Sequence, residues 1–335
     1  AYFAAPPEPV AADPLLYPDK IASSSGPGPG VVQYSFEKLC PGWAVAGWCE
    51  AEDHAFSKLV ICNQDWCSYC GKVDGLAHQR RKAAWLPKAR QLSSMGYLVI
   101  TMPPEVRDGY RSKKALGDFA RDVRRLLQEL GFSRGMYAWH IFGEDHRGKG
   151  GHDGGVPVYH PHLNILLDAR YVRKAVLRQV KVGVAGILGV DVARVNLNYR
   201  YADTVKKMLH KVGYTLRPTF LDWSWDKDLA EKLKGFNRRR TWGKWEDEPV
   251  WEVPVGPDAD APSAAVVALQ QGFCPLDGSR IIWARGDREV PDPLSKWLPP
   301  RSKRLGFSAK LVQEPAWTHV GAGYWAWTAW PGMGQ

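Results

Sequence analysis

The stretch VYHPHLNILL (158–167) carries His160, His162 and Asn164 at every second position. In an extended chain those three side chains leave one face, and Tyr159, Leu163, Ile165 and Leu167 leave the other. Pro161 between the histidines excludes a helix interior. Two imidazoles and an amide oxygen on one strand face form a ligand set for a divalent ion. The amide oxygen makes that set harder, which suits Mg²⁺ or Mn²⁺ better than Zn²⁺. Upstream, WHIFGED (139–145) places His140, Phe142 and Glu144 on one strand face. If the two strands pair, Glu144 adds a carboxylate to the same spot.

A nucleophile is available downstream. In KMLHKVGYTLRPTF (207–220), Tyr214 follows a lysine-rich helix and precedes Arg217. A phenol is a weak nucleophile at neutral pH. It can attack phosphorus if a metal polarises the phosphate and cations such as Lys207, Lys211 and Arg217 stabilise the phenolate. Taken alone, a tyrosine at a helix end is a packing residue. Its interest comes from its neighbours.

Five of the six cysteines fall within residues 36–95, and CNQDWCSYCG sets the spacing Cys62-x4-Cys67-x2-Cys70. Thiolates at that spacing bind Zn²⁺ well. Cys49 is the expected fourth ligand, with Cys40 as the alternative. A disulfide framework fits less well, because the odd count around the cluster leaves one thiol over and no signal-peptide layout is visible. Cys274, in FCPLDG, looks like half of a zinc knuckle without its partner and is read as a free buried thiol.

The elements that must position these groups follow from periodicity. GYLVITMPP (96–104) is a strand ending at two prolines. Residues 113–131 put Leu116, Phe119, Ala120, Val123, Leu126, Leu127 and Leu130 on one helix face, closed by Gly131. Strands follow at 135–145 and 158–167, a helix at 171–189, a strand at 193–201 and a helix at 203–216. Two consecutive strands between helices predict an α+β fold, a mainly antiparallel sheet with helices on one face.

The chain has 335 residues, 45 Lys+Arg against 35 Asp+Glu and a net charge of +10, a balance that attracts polyanions such as nucleic acid. No apolar run approaches the ~18 residues of a membrane span. The chain divides into a Pro/Ser/Gly-rich tail (1–35), a cysteine-rich zinc-binding module (36–95), the strand–helix core (96–220), a Trp- and Arg-rich helical segment (221–245) and a Trp/Pro-rich extension (246–335). In KGFNRRRTWGKW (234–245), Arg238, Arg239 and Arg240 with Trp242 offer cations for phosphates and a ring for unpaired bases. YWAWTAWPG (324–332) reads as an edge strand packed on the domain.

YHPHLNILL resembles the motif of HUH-superfamily endonucleases, and specifically of the single-tyrosine rolling-circle replication initiators of plasmids and phages, which reads His-Pro-His-x-His-x-Leu on a central strand. HKVGYTLRP (210–218) is similar to their Tyr-x-x-Lys-Tyr-x-x-Lys-Pro, with Tyr214 at the catalytic position and Arg217 at the following lysine. Glu144 resembles their upstream glutamate. CNQDWCSYCG followed by HQRRK (78–82) resembles their cysteine run and arginine pair. The likeness spans roughly residues 49–220. The chain departs from the pattern at Asn164, where a second metal-binding histidine is usual, and at His210 and Gly213, where Tyr and Lys are usual.

The resemblance implies an HUH-type core of RRM/ferredoxin-like form. It implies a metal-dependent endonuclease in which Mg²⁺ or Mn²⁺ on His162, Asn164, His160 and Glu144 polarises a phosphate of single-stranded DNA, beside a structural Zn²⁺. Tyr214, helped by Lys211 and Arg217, then forms a 5′-phosphotyrosine link, and Glu144 can also serve in the second cut. The implied setting is a hairpin replication origin in a prokaryotic cytoplasm, encoded by a plasmid or virus, with a host helicase and polymerase as further partners. A transposase or relaxase with the same chemistry, and a zinc-containing DNA-binding protein with a decayed site, are the other readings.

Overall fold

The computed structural model describes residues 40, 43–50, 54–142, 158–220, 226–254, 261–284, 307–308 and 317–327. The expected tail (1–35) and Glu144 lie outside them. In chain order the elements begin with β1 (Trp43–Cys49), β2 (Ala55–Leu59) and α1 (Leu76–Ala89). The core follows as β3 (Met95–Thr101), α2 (Lys113–Glu129), β4 (Gly135–His140), β5 (His162–Asp168), α3 (Lys174–Leu188), β6 (Asn196–Ala202) and α4 (Val205–Leu216). Then come α5 (Lys227–Leu233), β7 (Arg239–Trp242), α6 (Ala264–Gln271), β8 (Ile281–Trp283), β9 (Phe307–Ser308), β10 (Trp317–Gly321) and β11 (Tyr324–Trp327). The fold is α+β, as the strand–helix rhythm predicts.

The core sheet runs β6-β3-β5-β4-β7, with each neighbouring pair antiparallel. The β-α-β-β-α-β unit from β3 to β6 thus has the ferredoxin-like order, its first and third strands in the centre. α2 starts on Ser112, whose hydroxyl accepts from Ala115 N–H at 3.2 Å. α3 stops at Gly189, which takes the left-handed conformation (φ +67°). One face of the sheet buries Leu98, Ile100, Trp139, Leu163, Ile165 and Leu167 against α2 and α3. The other buries Tyr97, Met136, Ala138 and Leu166 against Trp85 of α1 and Met208, Val212 and Leu216 of α4. Helices therefore cover both faces, where the sequence predicted one. His162 and Asn164 alternate with Leu163 and Ile165, so they fall on the α4 side.

The second sheet runs β10-β11-β2-β1-β8, with β9 also pairing β1. It draws β1 and β2 from the cysteine-rich segment and its other four strands from the C-terminal extension, so residues 36–95 and 246–335 build one layer. β11 is an inner strand of it, and Trp327 stacks on Trp317 at 5.9 Å. Among the described residues of the 221–245 segment, α5 is the helix, and residues 239–242 form the edge strand β7.

Helix α1 ties the two sheets together. Arg80 donates to Leu59 O, Ala322 O and Gly323 O at 2.9, 2.9 and 3.0 Å, and its guanidinium lies 4.6 Å over the Tyr324 ring. Two positions earlier, His78 reaches the core helix α4. Replacing Arg80 by Met keeps the aliphatic stem and strips three carbonyls of a charged donor. Arg80→Met should cost about 2–4 kcal/mol in urea unfolding. A change under about 0.5 kcal/mol would show that the β10–β11 hairpin docks without it.

Candidate functional site

Register sets the site. On β4 and β5, His140 and His162 are directly opposed, and their rings lie 5.1 Å apart. His162 Nδ1–H donates to the carbonyl of His160 at 3.0 Å, so the lone pair is on Nε2. His140 Nε2–H donates to Thr215 O at 3.0 Å, so its lone pair is on Nδ1, and that buried nitrogen has no hydrogen-bond partner among the described residues. Complete burial holds the His140 pKa well below the ordinary histidine range, helped by His162 and Arg217. This imidazole is neutral, fixed and buried, and its open lone pair could ligate a metal.

Asn164 lies next on the same face. Its amide oxygen accepts from the Tyr97 hydroxyl at 2.5 Å, and its buried amide nitrogen is unpartnered among the described residues. The His160 ring sits 6.0 Å from that of His162. His140 was within reach of the sequence. It stands two and four residues after Ala138 and Met136, on the same strand face, in the quoted stretch that drew attention to Glu144 instead.

The tyrosine reaches this spot through the end of α4. Thr204 caps the helix start, accepting from Lys207 N–H at 3.4 Å. Pro218 disfavours the helical conformation at the residue before it, and Arg217 is extended (φ −58°, ψ 150°). That turn folds the guanidinium back over Tyr214, 4.1 Å above its ring, with Nη2 donating to the Tyr214 hydroxyl at 3.2 Å. The Tyr214 ring lies 5.5 Å from His140. Lys211 Nζ sits 4.5 Å over the Tyr97 ring and 5.7 Å from that of Tyr214. Lys207 pairs with Asp203 at 3.2 Å instead. Tyr214, Arg217 and Lys211 thus lie together, and the His140 ring stands between Tyr214 and His162.

The arginines expected on DNA behave differently. Asp65 has a wholly buried side chain, and three guanidiniums converge on it: Arg81 and Arg238 at 2.9 Å and Arg239 at 3.0 Å. Burial alone would raise the Asp65 pKa, but Arg238, Arg239 and Arg81 hold it far below the usual carboxylate range. Burial pushes the Arg238 guanidinium down to about 10, still charged at neutral pH. Trp242 is also buried, its indole N–H donating to Phe132 O at 3.2 Å. Arg238 and Trp242 are therefore interior residues, and Arg239 is half-buried with its guanidinium on Asp65, in place of the DNA contacts that the sequence predicts. A basic run in sequence does not reveal the acid that awaits it in space. Arg240 is exposed, in an open cleft with Lys113, Lys114 and Arg124 on the α2 side of the sheet.

The cysteines sort by place rather than by proximity in sequence. Ligand atoms of Cys40, Cys62, Cys67 and Cys70 all lie within 4.8 Å of one another. Cys62 Sγ and Cys70 Sγ are 3.6 Å apart, far beyond a disulfide and close to the ~3.8 Å edge of a zinc tetrathiolate. This cluster could hold a metal such as zinc. Cys49 is not in it. Its place at the end of β1 carries it into a second group with His54, Cys274 and Asp277, so Cys40 is the fourth member and Cys274 is no solitary thiol.

The Cys62–Cys70 loop supports the chain around Tyr214. Asp65 accepts from Thr219 N–H at 3.3 Å, and Trp66 packs edge-on against Phe220 at 5.0 Å. Thr219 in turn accepts from Ile141 N–H at 3.0 Å. His78, on the helix after the loop, accepts from Asp74 N–H at 3.0 Å and donates to Gly213 O at 2.8 Å, one residue before Tyr214. No protein-family model, no curated protein and no solved structure matches this chain.

Two measurements follow from these placements. Cys40→Ser should lower bound zinc by one ion per chain in elemental analysis, and unchanged content would remove this sulfur from the cluster. Asp65→Asn, similar in shape, leaves three guanidiniums without their acid and should cost about 3–5 kcal/mol at neutral pH. Because the native carboxyl is depressed, its stabilisation is complete above the ordinary value near ~3.9 and is lost as pH falls below it. The wild type should therefore converge on the variant in acid. A loss under about 1 kcal/mol in neutral urea would show that other counter-charges serve the arginines.

Proposed function

We propose that the chain is a metal-dependent endonuclease and strand transferase acting on single-stranded DNA, with Tyr214 as its nucleophile. The observation that supports this most directly is the Tyr214 hydroxyl held by Arg217 beside the opposed imidazoles of His140 and His162.

Each residue has a task in that reaction. The Tyr214 oxygen attacks phosphorus, forming a phosphotyrosine bond as the bond from phosphorus to the 3′ oxygen breaks. The phenolic proton leaves to solvent and the departing oxygen takes one up, giving a free 3′-OH. Arg217 stabilises the developing phenolate by a charge-assisted hydrogen bond, and Lys211 adds a second positive charge nearby. His162 Nε2 and His140 Nδ1 would hold Mg²⁺ or Mn²⁺, whose chemistry there is to draw charge from the phosphate oxygens. Thr215 and His160, through their carbonyls, keep the two imidazoles in the tautomers that ligate. Attack by a 3′-OH on the phosphotyrosine reverses the step and joins strands. A hairpin replication origin supplies unpaired DNA, and the released 3′-OH can prime a polymerase, which is the case for rolling-circle initiation.

Incubating the full chain with a randomised single-stranded oligonucleotide library and Mn²⁺ should give a denaturant-resistant adduct on the wild type and none on Tyr214→Phe. Arg217→Met should slow adduct formation by about 10²-fold. His140→Ala should raise the Mn²⁺ concentration needed while leaving oligonucleotide binding unchanged. An adduct on Tyr214→Phe would reject the nucleophile, and an unchanged Mn²⁺ requirement in His140→Ala would reject that ligand.

A further inference from the structure

We infer that Cys49, His54, Cys274 and Asp277 form a second zinc site, distinct from the four-cysteine cluster, which clamps the β1–β2 hairpin to the turn before β8. Cys49 ends β1 and His54 immediately precedes β2. Cys274 and Asp277 flank a tight turn in FCPLDG, closed by Gly278 N–H on Cys274 O at 3.0 Å and by Cys274 N–H on Ser279 O at 2.7 Å. Gly278 takes φ +76°, the conformation that glycine supplies at such a knuckle. The spacing is Cys-x4-His with Cys-x2-Asp, a ligand arrangement of the zinc-knuckle type with a carboxylate in one place.

The distances carry the inference. A single nitrogen, His54 Nδ1, lies 3.6 Å from Cys49 Sγ, 3.6 Å from Cys274 Sγ and 2.9 Å from Asp277 Oδ2. One N–H cannot serve three acceptors. Four donors arranged around a common centre account for the pattern. Zinc bond lengths of ~2.3 Å to sulfur and ~2.05 Å to nitrogen give a tetrahedral nitrogen–sulfur edge of about 3.6 Å. The carboxylate is about half an ångström inside its own ~3.4 Å edge, a gap that rotation of Asp277 closes. Cys49 also accepts from His54 N–H at 3.2 Å, the backbone support that thiolate ligands receive. Both sulfurs are buried and neither is in a disulfide, while His54 and Asp277 are partly exposed, which leaves the ion a way in. Two thiolates, an imidazole and a carboxylate suit Zn²⁺ over Mg²⁺ or Ca²⁺.

The test is zinc content of the full chain purified with zinc present, independent of any nicking activity. Wild type should hold two ions per chain. Cys274→Ser should hold one, Cys67→Ser should hold one, and the double variant none. Cobalt substitution should show thiolate charge transfer from six sulfurs in wild type and four in Cys274→Ser. Because Cys274→Ser is buried and could misfold, Asp277→Cys is the second arm. It completes a Cys-x2-Cys knuckle and should keep two ions, with the second released to a chelator at least tenfold more slowly than in wild type. One ion in wild type, unchanged in Cys274→Ser and in Asp277→Cys, would overturn the site. So would loss of both ions in Cys67→Ser with the fold intact.

Discussion

One buried carboxylate organises the surroundings of Tyr214. Asp65 receives Arg81 from α1, Arg238 and Arg239 from the entry to β7, and the amide of Thr219 from the exit of α4. Four chain segments distant in sequence are thereby pinned at one point. Each guanidinium gives up water to be there, and one acid offsets only one of three charges. The loop that bears Asp65 also carries Cys62, Cys67 and Cys70, so the carboxylate that gathers the arginines and three of the four clustered cysteines share one short segment.

That anchorage explains how a tyrosine at a helix end is held in a fixed position. The last turn of α4 is held from three sides, by His78 on Gly213 O, by His140 on Thr215 O and by Asp65 on Thr219 N–H. Pro218 disfavours helix at Arg217, and the extended residue lays its guanidinium on the Tyr214 ring. The His140 bond has a second consequence. By occupying Nε2 it commits the lone pair to Nδ1, so the contact that locates α4 also selects the tautomer that can ligate a metal.

Local periodicity made much of this legible. The alternation in VYHPHLNILL placed His162 and Asn164 on one face, and the apolar spacing in 113–131 and 203–216 located α2 and α4, because those signals depend only on neighbours along the chain. What failed was whatever depends on a partner elsewhere. The run Arg238–Arg239–Arg240 has the composition of a phosphate-binding stretch, but two of its members are consumed by an aspartate 174 residues away from Arg239. The spacing from Cys49 to Cys62 looked acceptable for one zinc site. Cys49 and Cys40 sit at opposite ends of β1, however, and a strand seven residues long separates their sulfurs by its own length. His140 was overlooked beside Glu144 because single-strand reasoning does not give register, and it is register that opposes His140 to His162.

The same strand length accounts for the double role of β1. With Cys40 before its first residue and Cys49 at its last, β1 can serve one cysteine cluster at each end and none in the middle. The end near Cys40 faces the loop that secures α4. The end at Cys49 meets the turn at Cys274, so the C-terminal strands are fastened to the N-terminal hairpin where β8 begins to pair with β1. Between the two ends, Arg80 of α1 holds Leu59 O on one side and the β10–β11 turn on the other. A sheet assembled from the two ends of the described chain has little local sequence to specify it. Side-chain contacts at both ends of the inner strand β1 supply specification that short strands lack.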